Sequence, residues 1–304
     1  MIAEIYARAY AKINFGLEVF PKSQDIYGCK FHNIQGIFQT IDLYDELVVK
    51  WNPELQENSK GECKISCEEM EFPENNTLTS AYQAFCEVFE MTDLSVKVPS
   101  ILVQIKKNIP AGGGLGGGSS DAATLIRMLE KICGVSLSLE QLDLIASKVG
   151  CDVFFFLHCD QEGRACALVS GRGEKIEKIR PRNDLFLLLL FPKQASSTKI
   201  AYKLVDEAFL EGEKITCPDY SELESIYNSP ITDWSFKNTF TSVIAKSLNE
   251  VEQGLEALRK NGCCFAEMSG SGSTVYGVFT SKQQGDAVCS LLAETWNCKL
   301  VSIF

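Results

Sequence analysis

A glycine-rich segment at residues 110–121 is the part of this sequence whose residue types most directly suggest chemistry. Six of the seven residues from 112 to 118 are glycine, and a Ser-Ser-Asp sequence follows. Glycine adopts positive φ and has no Cβ, so such a loop can bring several backbone N–H groups close to one ligand. Where the loop leads into a helix, the first N–H groups of the helix and its dipole also favour an anion. We therefore predict a site for di- or triphosphate oxygens, with two serine hydroxyls able to donate to a phosphate or to ligate Mg²⁺.

Other interpretations of this loop remain open at the level of the residues. A flexible linker or a tight turn is the structural alternative, although the density of glycine between two regular elements disfavours it. A P-loop of the usual form is excluded, because no Lys-Ser or Lys-Thr pair follows the last glycine. Gly112, Gly114 and Gly117 also satisfy the spacing of a dinucleotide-binding loop. Pro110 and the Ser-Ser-Asp ending are unusual flanks for that loop, so a NAD(P)-binding oxidoreductase is the rival function.

Two further features could belong to the same site: a pair of polar residues in an apolar strand, and a second glycine-rich segment. Lys12 is a lone lysine in an apolar segment, where a purely solvated charge is uncommon. Asn14 lies on the same strand face by the two-residue period, although an ordinary amide on a sheet face is the alternative. Residues 269–273 read Ser-Gly-Ser-Gly-Ser, which by itself indicates a β-turn. Beside the first glycine loop, this second glycine segment gains weight as part of the same site.

The regular elements that must position these residues follow from hydrophobic periodicity. Strands are predicted at residues 2–19, 38–50, 100–106, 185–191, 265–268 and 275–280, with a further strand at the C-terminus. Helices are predicted at residues 76–89, from the glycine loop to Gly134, and at 139–149, 240–261 and 282–295. Ser119, Ser120 or Asp121 can cap the helix after the loop, and Ser138 and Gln141 have capping-box spacing. The order of strand, glycine loop and helix is that of a phosphate site.

Composition limits the class of protein. The 304 residues include 40 acidic and 29 basic side chains, for a formal net charge of −11, so a nucleic acid would bind against the overall field. The 13 cysteines are odd in number and lack zinc-site spacing, which is typical of reduced thiols. No leader-like N-terminus and no apolar stretch of membrane-spanning length is found. We expect a cytoplasmic globular protein with no nucleic-acid or membrane partner, either a monomer or a homodimer.

Three separated blocks together resemble the GHMP kinase superfamily. They are Ala-Tyr-Ala-Lys-Ile-Asn-Phe at residues 9–15, the glycine-rich segment at 110–121, and Ala-Glu-Met-Ser-Gly-Ser-Gly-Ser-Thr at 266–274. His32 and the Gly-Cys-Asp-Val sequence at 150–153 fall in the same order as in one branch of the superfamily. The similarity covers nearly the whole chain.

The resemblance implies an α/β fold of two lobes with a left-handed βαβ element. The N-terminal ATP-binding lobe, resembling ribosomal protein S5, is expected at residues 1–180, and a ferredoxin-like C-terminal lobe at 181–304, with the active site in the cleft. The implied reaction is transfer of the γ-phosphoryl group of ATP, with Mg²⁺, to the 2-hydroxyl of 4-diphosphocytidyl-2-C-methyl-D-erythritol (CDP-methylerythritol). That reaction is a step of the non-mevalonate pathway of isoprenoid (terpenoid) biosynthesis.

The resemblance also assigns roles to residues. Lys12 and Asp152 are the implied catalytic pair: a carboxylate can take the hydroxyl proton, and an ammonium offsets charge developing on the attacking oxygen. On position alone, Asp152 could equally cap a helix or a turn. The residues implied in ATP binding are Pro110, Ala111, Gly112, Gly113, Gly114, Leu115, Gly116, Gly117, Gly118, Ser119, Ser120, Asn76 and Lys107, with Ser120 also facing the Mg²⁺ of ATP. The residues implied in substrate binding are Asn14, Phe31, His32, Thr198, Tyr202, Gly270, Ser271 and Gly272.

Several positions depart from the pattern of this branch. Phe154 stands where a proline usually follows the Asp-Val pair, the segment 25–32 is longer than usual, and Phe31 replaces a tyrosine. The first departure bears on how Asp152 is aimed, and the others bear on cytidine recognition. The nearest rival is therefore another GHMP kinase, acting on a mevalonate-, sugar- or homoserine-type alcohol. A sensor that binds nucleotide without turnover is the non-enzyme alternative, which the presence of both Lys12 and Asp152 disfavours.

Overall fold

The structure is a computed structural model that describes residues 2–22, 32–53, 61–91, 97–213 and 215–304. Within these residues the strands are β1 Ala3–Val19, β2 Ile34–Trp51, β3 Cys63–Ser66, β4 Ile101–Lys106, β5 Cys166–Gly171, β6 Lys175–Lys178, β7 Phe186–Phe191, β8 Phe265–Met268, β9 Val275–Phe279 and β10 Asn297–Ser302. The helices are α1 Thr77–Glu90, α2 Gly117–Cys133, α3 Leu139–Val149, α4 Cys151–Leu157, α5 Thr198–Leu210, α6 Leu223–Asn228, α7 Thr239–Ser247, α8 Asn249–Lys260 and α9 Lys282–Leu292. The expected mixture of helices and strands in an α/β fold is confirmed.

These elements form two sheets. One has the strand order β3-β4-β2-β5-β6, with β1 also paired to β2, and the other has the order β10-β7-β9-β8. The chain divides into two compact units: the first comprises Met1–Ala11, Leu43–Ile109 and Gly117–Gly163, and the second comprises Lys12–Asp42, Pro110–Gly116 and Arg164–Phe304. The long strands β1 and β2 contribute residues to both units. This division therefore differs from the single boundary at residue 180, and the lobe assignment stays a prediction.

The first unit packs four helices with a sheet. The C-terminal part of β2 pairs antiparallel with β4, and β3 pairs parallel with β4. Alternate residues of β4 are buried, as the two-residue period of a strand with one covered face requires. Helix α1 packs against α2 and α3, and α2 packs against α4. Helix α1 begins with a capping box in which Asn76 and Thr79 satisfy each other's backbone N–H groups.

The second unit is built around β7. Its four inner leucines are fully buried, because β7 lies between β10 and β9 and is covered on both faces. Helices α8 and α9 pack against this sheet. An aromatic cluster of edge-to-face and tilted ring pairs fills part of the core. Its members are Phe15, Tyr227, Trp234, Phe236, Phe265 and Tyr276.

Most predicted elements are present, with two corrections. The amphipathic segment 240–261 is two helices, α7 and α8, because Leu248 between them has non-helical dihedrals. The apolar period continues across this break, so the sequence indicated one helix. The prediction that a Ser or Asp caps α2 was wrong, since α2 begins at Gly117 and those residues lie inside the helix. The predicted elements omitted β3, β5, β6, α4, α5 and α6.

No helix in the described ranges is long and apolar enough to cross a membrane. The cysteines at described positions are all free thiols, as predicted from their number and spacing.

A buried hydroxyl gives a first test of this packing. The Tyr276 hydroxyl is fully buried and donates to the Asn14 carbonyl at 2.8 Å. We expect Tyr276→Phe to lower the free energy of unfolding by about 1 kcal/mol, because a buried hydrogen bond is lost at constant ring size. Urea denaturation measures this change. Tyr6→Phe is the matched control, since Tyr6 is 49% exposed and donates to a surface carboxylate; its effect should stay within about 0.5 kcal/mol. Equal losses of unfolding free energy in both variants would contradict a stabilising role for the buried Tyr276 hydrogen bond.

Candidate active site

Lys12 and Asn14 lie next to each other on one face of β1, in the second unit. The Lys12 ammonium donates to Asn14 Oδ1 at 2.8 Å and to the Gly114 carbonyl at 3.2 Å, and it lies 4.9 Å from the centre of the Phe38 ring. Lys12 is only 3% exposed, so these contacts hold a nearly buried cation in one orientation. The Asn14 Nδ2 group is buried and has no partner among the described residues. A free amide donor beside a fixed ammonium is suited to a ligand oxygen.

The carbonyl groups of the glycine loop are tied to the second unit. Each carbonyl from residue 112 to residue 115 accepts at least one hydrogen bond. The donors are Ser196 N to Gly112, Thr274 N to Gly113, Ser269 Oγ and Lys12 Nζ to Gly114, and Lys12 N to Leu115, at 3.0 to 3.3 Å. Because a peptide group is planar, fixing a carbonyl turns the following N–H to the opposite side. No amide of residues 112–116 donates a hydrogen bond within the described part of the chain, so these N–H groups are available to an anion.

The second glycine segment packs directly on the loop. Gly114 has φ +74°, and a Cβ there would overlap the Ser269 carbonyl. A Cβ on Gly270 would lie 2.7 Å from the Gly114 carbonyl oxygen. Only glycine allows this approach of two backbones. The Thr198 hydroxyl lies 3.0 Å from the Ser271 hydroxyl, so two predicted substrate residues are also brought together.

In the first unit, the loop continues into the N-terminus of α2. Ser120 is 2% exposed, and its hydroxyl donates to the Tyr10 carbonyl at 2.7 Å, which leaves only oxygen lone pairs for any cation. A Cβ on Gly117 would lie 3.6 Å from Lys107 Nζ. The ammonium of Lys107 therefore lies beside the first residue of this helix, and its contact with the phosphates of ATP stays a prediction.

Two buried carboxylates hold Lys107. Its ammonium contacts Asp45 and lies 2.7 Å from Asp121 Oδ2, while the other oxygen of Asp45 accepts from the amides of Asn108 and Ile109. Burial raises the pKa of Asp121 to about 7, the Lys107 charge opposes this rise, and the nearby Asp45 adds to it. Burial by itself lowers the pKa of Lys107, but the two carboxylates outweigh it and the net shift is upward. The sequence analysis did not assign Asp45 a role, although a carboxylate inside an apolar strand could have indicated a buried ion pair.

A pocket of about 570 Å³ lies in the first unit. Its volume is in the range of small-molecule sites. Its lining residues are Cys63, Ile65, Ser66, Cys67, Met70, Glu71, Phe72, Pro73, Glu74, Asn76 and Thr79. The Asn76 side chain already caps α1 and donates to the Pro73 carbonyl. Asn76 is thus at the pocket, and its contact with ATP stays a prediction.

Asp152 is in the first turn of α4 and half-buried. It belongs to the first unit and Lys12 to the second, so their catalytic pairing stays a prediction. Phe154 is the fourth residue of α4, which shows that the helix forms with phenylalanine in place of the usual proline.

His32 and Tyr202 lie together in the second unit. The His32 ring stacks on Tyr202 at 5.0 Å, its Nδ1 donates to the Phe20 carbonyl at 2.8 Å, and its Nε2 lies at ion-pair distance, 3.1 Å, from Asp206 Oδ1. The angle at Nε2 is not that of a hydrogen bond. Phe31 lies outside the described residues. Contact of these side chains with cytosine stays a prediction.

Comparison with protein families identifies the class. Residues 76–160 match the model of the GHMP kinase N-terminal domain, and residues 227–298 match that of the GHMP kinase C-terminal domain. The first match contains the glycine loop and Asp152, and the second contains the Ser269–Thr274 turn. The fold and the loop therefore define a GHMP kinase rather than a dinucleotide-binding oxidoreductase.

Individual relatives narrow the class. The chain is 32% identical over 295 residues to the 4-diphosphocytidyl-2-C-methyl-D-erythritol kinase of Treponema pallidum (strain Nichols), covering 95% of this chain and 94% of the relative. It is 36% identical to the enzyme of the same name from Thermosipho africanus, covering 89% of each. A crystal structure of 4-(cytidine 5'-diphospho)-2C-methyl-D-erythritol kinase superposes with TM-score 0.74 at 24% identity over 98% and 99% of the two chains. The homoserine kinase of Cytophaga hutchinsonii gives TM-score 0.66 at 15% identity over 98% and 94%. The chain belongs to the 4-diphosphocytidyl-2-C-methyl-D-erythritol kinase family of GHMP kinases.

A substitution at Gly114 tests the close packing of the glycine loop on the second glycine segment. We expect Gly114→Ala to weaken ATP binding at least tenfold, because the new Cβ meets the Ser269 carbonyl and pushes the loop off its anchors. Gly134→Ala is the matched control: Gly134 also has positive φ, at +65°, but nothing lies within 4 Å of its Cβ position. The control should lose about 1 kcal/mol of stability and keep its ATP affinity. Titration calorimetry with ATP and Mg²⁺ measures both, and equal weakening in the two variants would refute the close-packing argument.

Asp121 tests the electrostatics of the first unit. Its carboxyl ordinarily ionises near 3.8, but in the folded protein its pKa is about 7. Between these values the folded state binds more protons than the unfolded state, so this group makes the free energy of unfolding fall as pH rises from about 4 to 7. Asp121→Asn lacks this contribution, so its stability relative to wild type should increase over that range. Urea denaturation at pH 4 to 8 measures the difference, with Asp121→Ala as the control for lost contacts. A difference that does not vary with pH would contradict the raised pKa.

Proposed function

We propose that this protein transfers the γ-phosphoryl group of ATP to the 2-hydroxyl of CDP-methylerythritol, in the non-mevalonate route to isoprenoids. The observation that carries the proposal is the glycine loop whose carbonyls are anchored and whose amides are left without partners, next to the fixed Lys12 ammonium. The names of the full-length relatives support the choice of alcohol.

The sites for ATP follow from the two units taken separately. The amides of the loop supply donors for phosphate oxygens, and the N-terminus of α2 adds its dipole and the Lys107 ammonium. The pocket beside Asn76 is large enough for a nucleoside and is assigned here to the adenine end of ATP. Of the described residues, no group of three or more His, Cys, Asp or Glu side chains is arranged to hold a metal ion. We therefore expect Mg²⁺ to arrive on the ATP phosphates, with the lone pairs of the Ser120 hydroxyl as a protein contact.

The chemical step assigns complementary roles to two residues. The substrate hydroxyl oxygen forms a bond to the γ-phosphorus of ATP. The bond between the γ-phosphorus and the β,γ-bridging oxygen breaks, and ADP leaves. Asp152 takes the proton from the hydroxyl, and the Lys12 ammonium stabilises the negative charge that develops on the attacking oxygen. Asn14 holds Lys12 through its Oδ1 and has its Nδ2 group left to donate to the substrate. Much of the catalytic effect comes from positioning and electrostatics, as in phosphoryl transfer generally.

We place the reaction in the cytoplasm, on the ground that the many cysteines at described positions are thiols rather than disulfides.

The test is phosphoryl transfer from ATP with Mg²⁺ to CDP-methylerythritol by the wild-type chain and by Asp152→Asn and Lys12→Met. We expect transfer by the wild type and a loss of at least 100-fold in kcat in each variant, since a general base and a charge stabiliser each contribute on the order of 10²-fold or more. ATP affinity of Asp152→Asn should stay within about threefold of wild type, because the carboxylate is assigned to the hydroxyl and not to ATP.

Mevalonate and homoserine are the comparison substrates in the same assay. Saturation by either alcohol in place of CDP-methylerythritol would keep the kinase class and reject the proposed substrate.

A further inference from the structure

Asn238 is a buried residue of the second unit whose side chain makes three hydrogen bonds to the main chain. It is 3% exposed, and its Nδ2 group donates to two main-chain carbonyls, those of Met268 and Gly270, both at 2.8 Å. Its Oδ1 accepts from the amide of Phe240 at 3.0 Å and thereby caps α7. A side chain that satisfies two carbonyls and one amide fixes the start of α7 relative to the backbone of residues 268–270.

The carbonyls that Asn238 holds flank the residue that anchors the glycine loop. Between them lies Ser269, whose hydroxyl donates to the Gly114 carbonyl at 3.0 Å. The same turn ends at Thr274, whose amide donates to the Gly113 carbonyl at 3.2 Å. Asn238 therefore holds the backbone on both sides of Ser269, at the start of a turn that supplies two of the anchors of the phosphate loop. Among the described residues, Asn238 itself makes no hydrogen bond with the loop.

The segment around Asn238 is also tied to β1. Leu17 N donates to the Lys237 carbonyl at 2.9 Å, and Val19 N donates to the Thr239 hydroxyl at 3.0 Å. Strand β1 is the element that carries Lys12 and Asn14. Asn238 thus connects the strand that presents the ammonium with the turn that anchors the loop, and both meet at the Gly114 carbonyl, which accepts from Lys12 and from Ser269.

We propose that Asn238 is a positioning residue for phosphoryl transfer, acting through the Ser269–Thr274 turn. It sets the distance between the Lys12 ammonium and the amides of the glycine loop by fixing the turn to the strand. Its two N–H donors carry this role, and its oxygen carries the separate role of helix cap. The turnover assay for this inference rests on the proposed function, whereas the ATP-binding assay does not.

Two variants separate positioning from capping. Asn238→Asp keeps the cap oxygen and the size of the side chain, but it replaces both donors by an acceptor facing two carbonyls. Asn238→Ser keeps a cap oxygen without adding charge and serves if the Asp variant does not fold. Asn261→Asp is the matched control, because Asn261 also donates its amide to a main-chain carbonyl, that of Ala257, at the end of α8. In the ranges that the structure describes, Asn261 makes no hydrogen bond to either glycine segment.

The experiment measures kcat, KM for ATP and ATP affinity by calorimetry, all per mole of folded protein. We expect Asn238→Asp and Asn238→Ser to lower kcat/KM for ATP at least tenfold and to weaken ATP binding. Asn261→Asp should leave all of these values within twofold. A merely structural role would reduce the folded fraction and leave the values per folded molecule unchanged, and that result would overturn the proposal.

A double-mutant cycle with Ser269→Ala tests the route of the effect. If Asn238 acts through Ser269, the double variant should lose less ATP affinity than the product of the two fold-losses of Asn238→Ser and Ser269→Ala. The reason is that both substitutions disturb the same hydrogen bond, from Ser269 to the glycine loop. Fully multiplicative losses would reject this route. Should the wild type bind ATP but fail to phosphorylate CDP-methylerythritol, the proposed function fails, and the ATP-affinity cycle still decides the role of Asn238.

Discussion

The orientation of four peptide groups in the glycine loop is the constraint on which the candidate site depends. A peptide carbonyl and the N–H that follows it point in opposite directions, so a hydrogen bond to the carbonyl aims the N–H. In residues 112–115 every carbonyl is bonded to the body of the second unit. Without those bonds, a segment with six glycines in seven positions would sample many conformations and lose much entropy on binding a phosphate. In the proposed function, the anchors therefore make a flexible sequence into a preorganised site for the phosphates of ATP.

The donors that anchor the loop come from three distant parts of the chain. Lys12 is on the first strand, Ser196 precedes α5, and the Ser269–Thr274 turn lies between β8 and β9. Lys12 has two functions in this arrangement, because its amide and its ammonium both bond to the loop, and its charge is held beside the site. In the first unit, Lys107 is held in a comparable way by two buried carboxylates. A fixed cation loses little freedom when an anion binds to it.

The sequence predicted the loop, the second glycine segment and Lys12 because each of these signals is local. Glycine density, a cation in an apolar strand and the period of the flanking elements are all visible within about fifteen residues. The interpretation of Asp121 as a helix cap failed because the helix begins at the glycines and the carboxylate instead meets Lys107. Asp45 and Asn238 could not be assigned a role, since their partners lie up to 64 and 32 residues away in the chain.

The sequence by itself predicted the α/β class and a phosphate-binding loop, because periodicity and glycine spacing are properties of the chain. Its resemblance to known kinases in three motif blocks gave the family. Only the tertiary structure decided which way the loop amides point and which groups hold Lys12 and Lys107. It also decided that the side chain of Asn238 joins β1 to the second glycine segment. Hydrogen-bond direction and burial depend on neighbours that the fold brings together, and no local pattern encodes them.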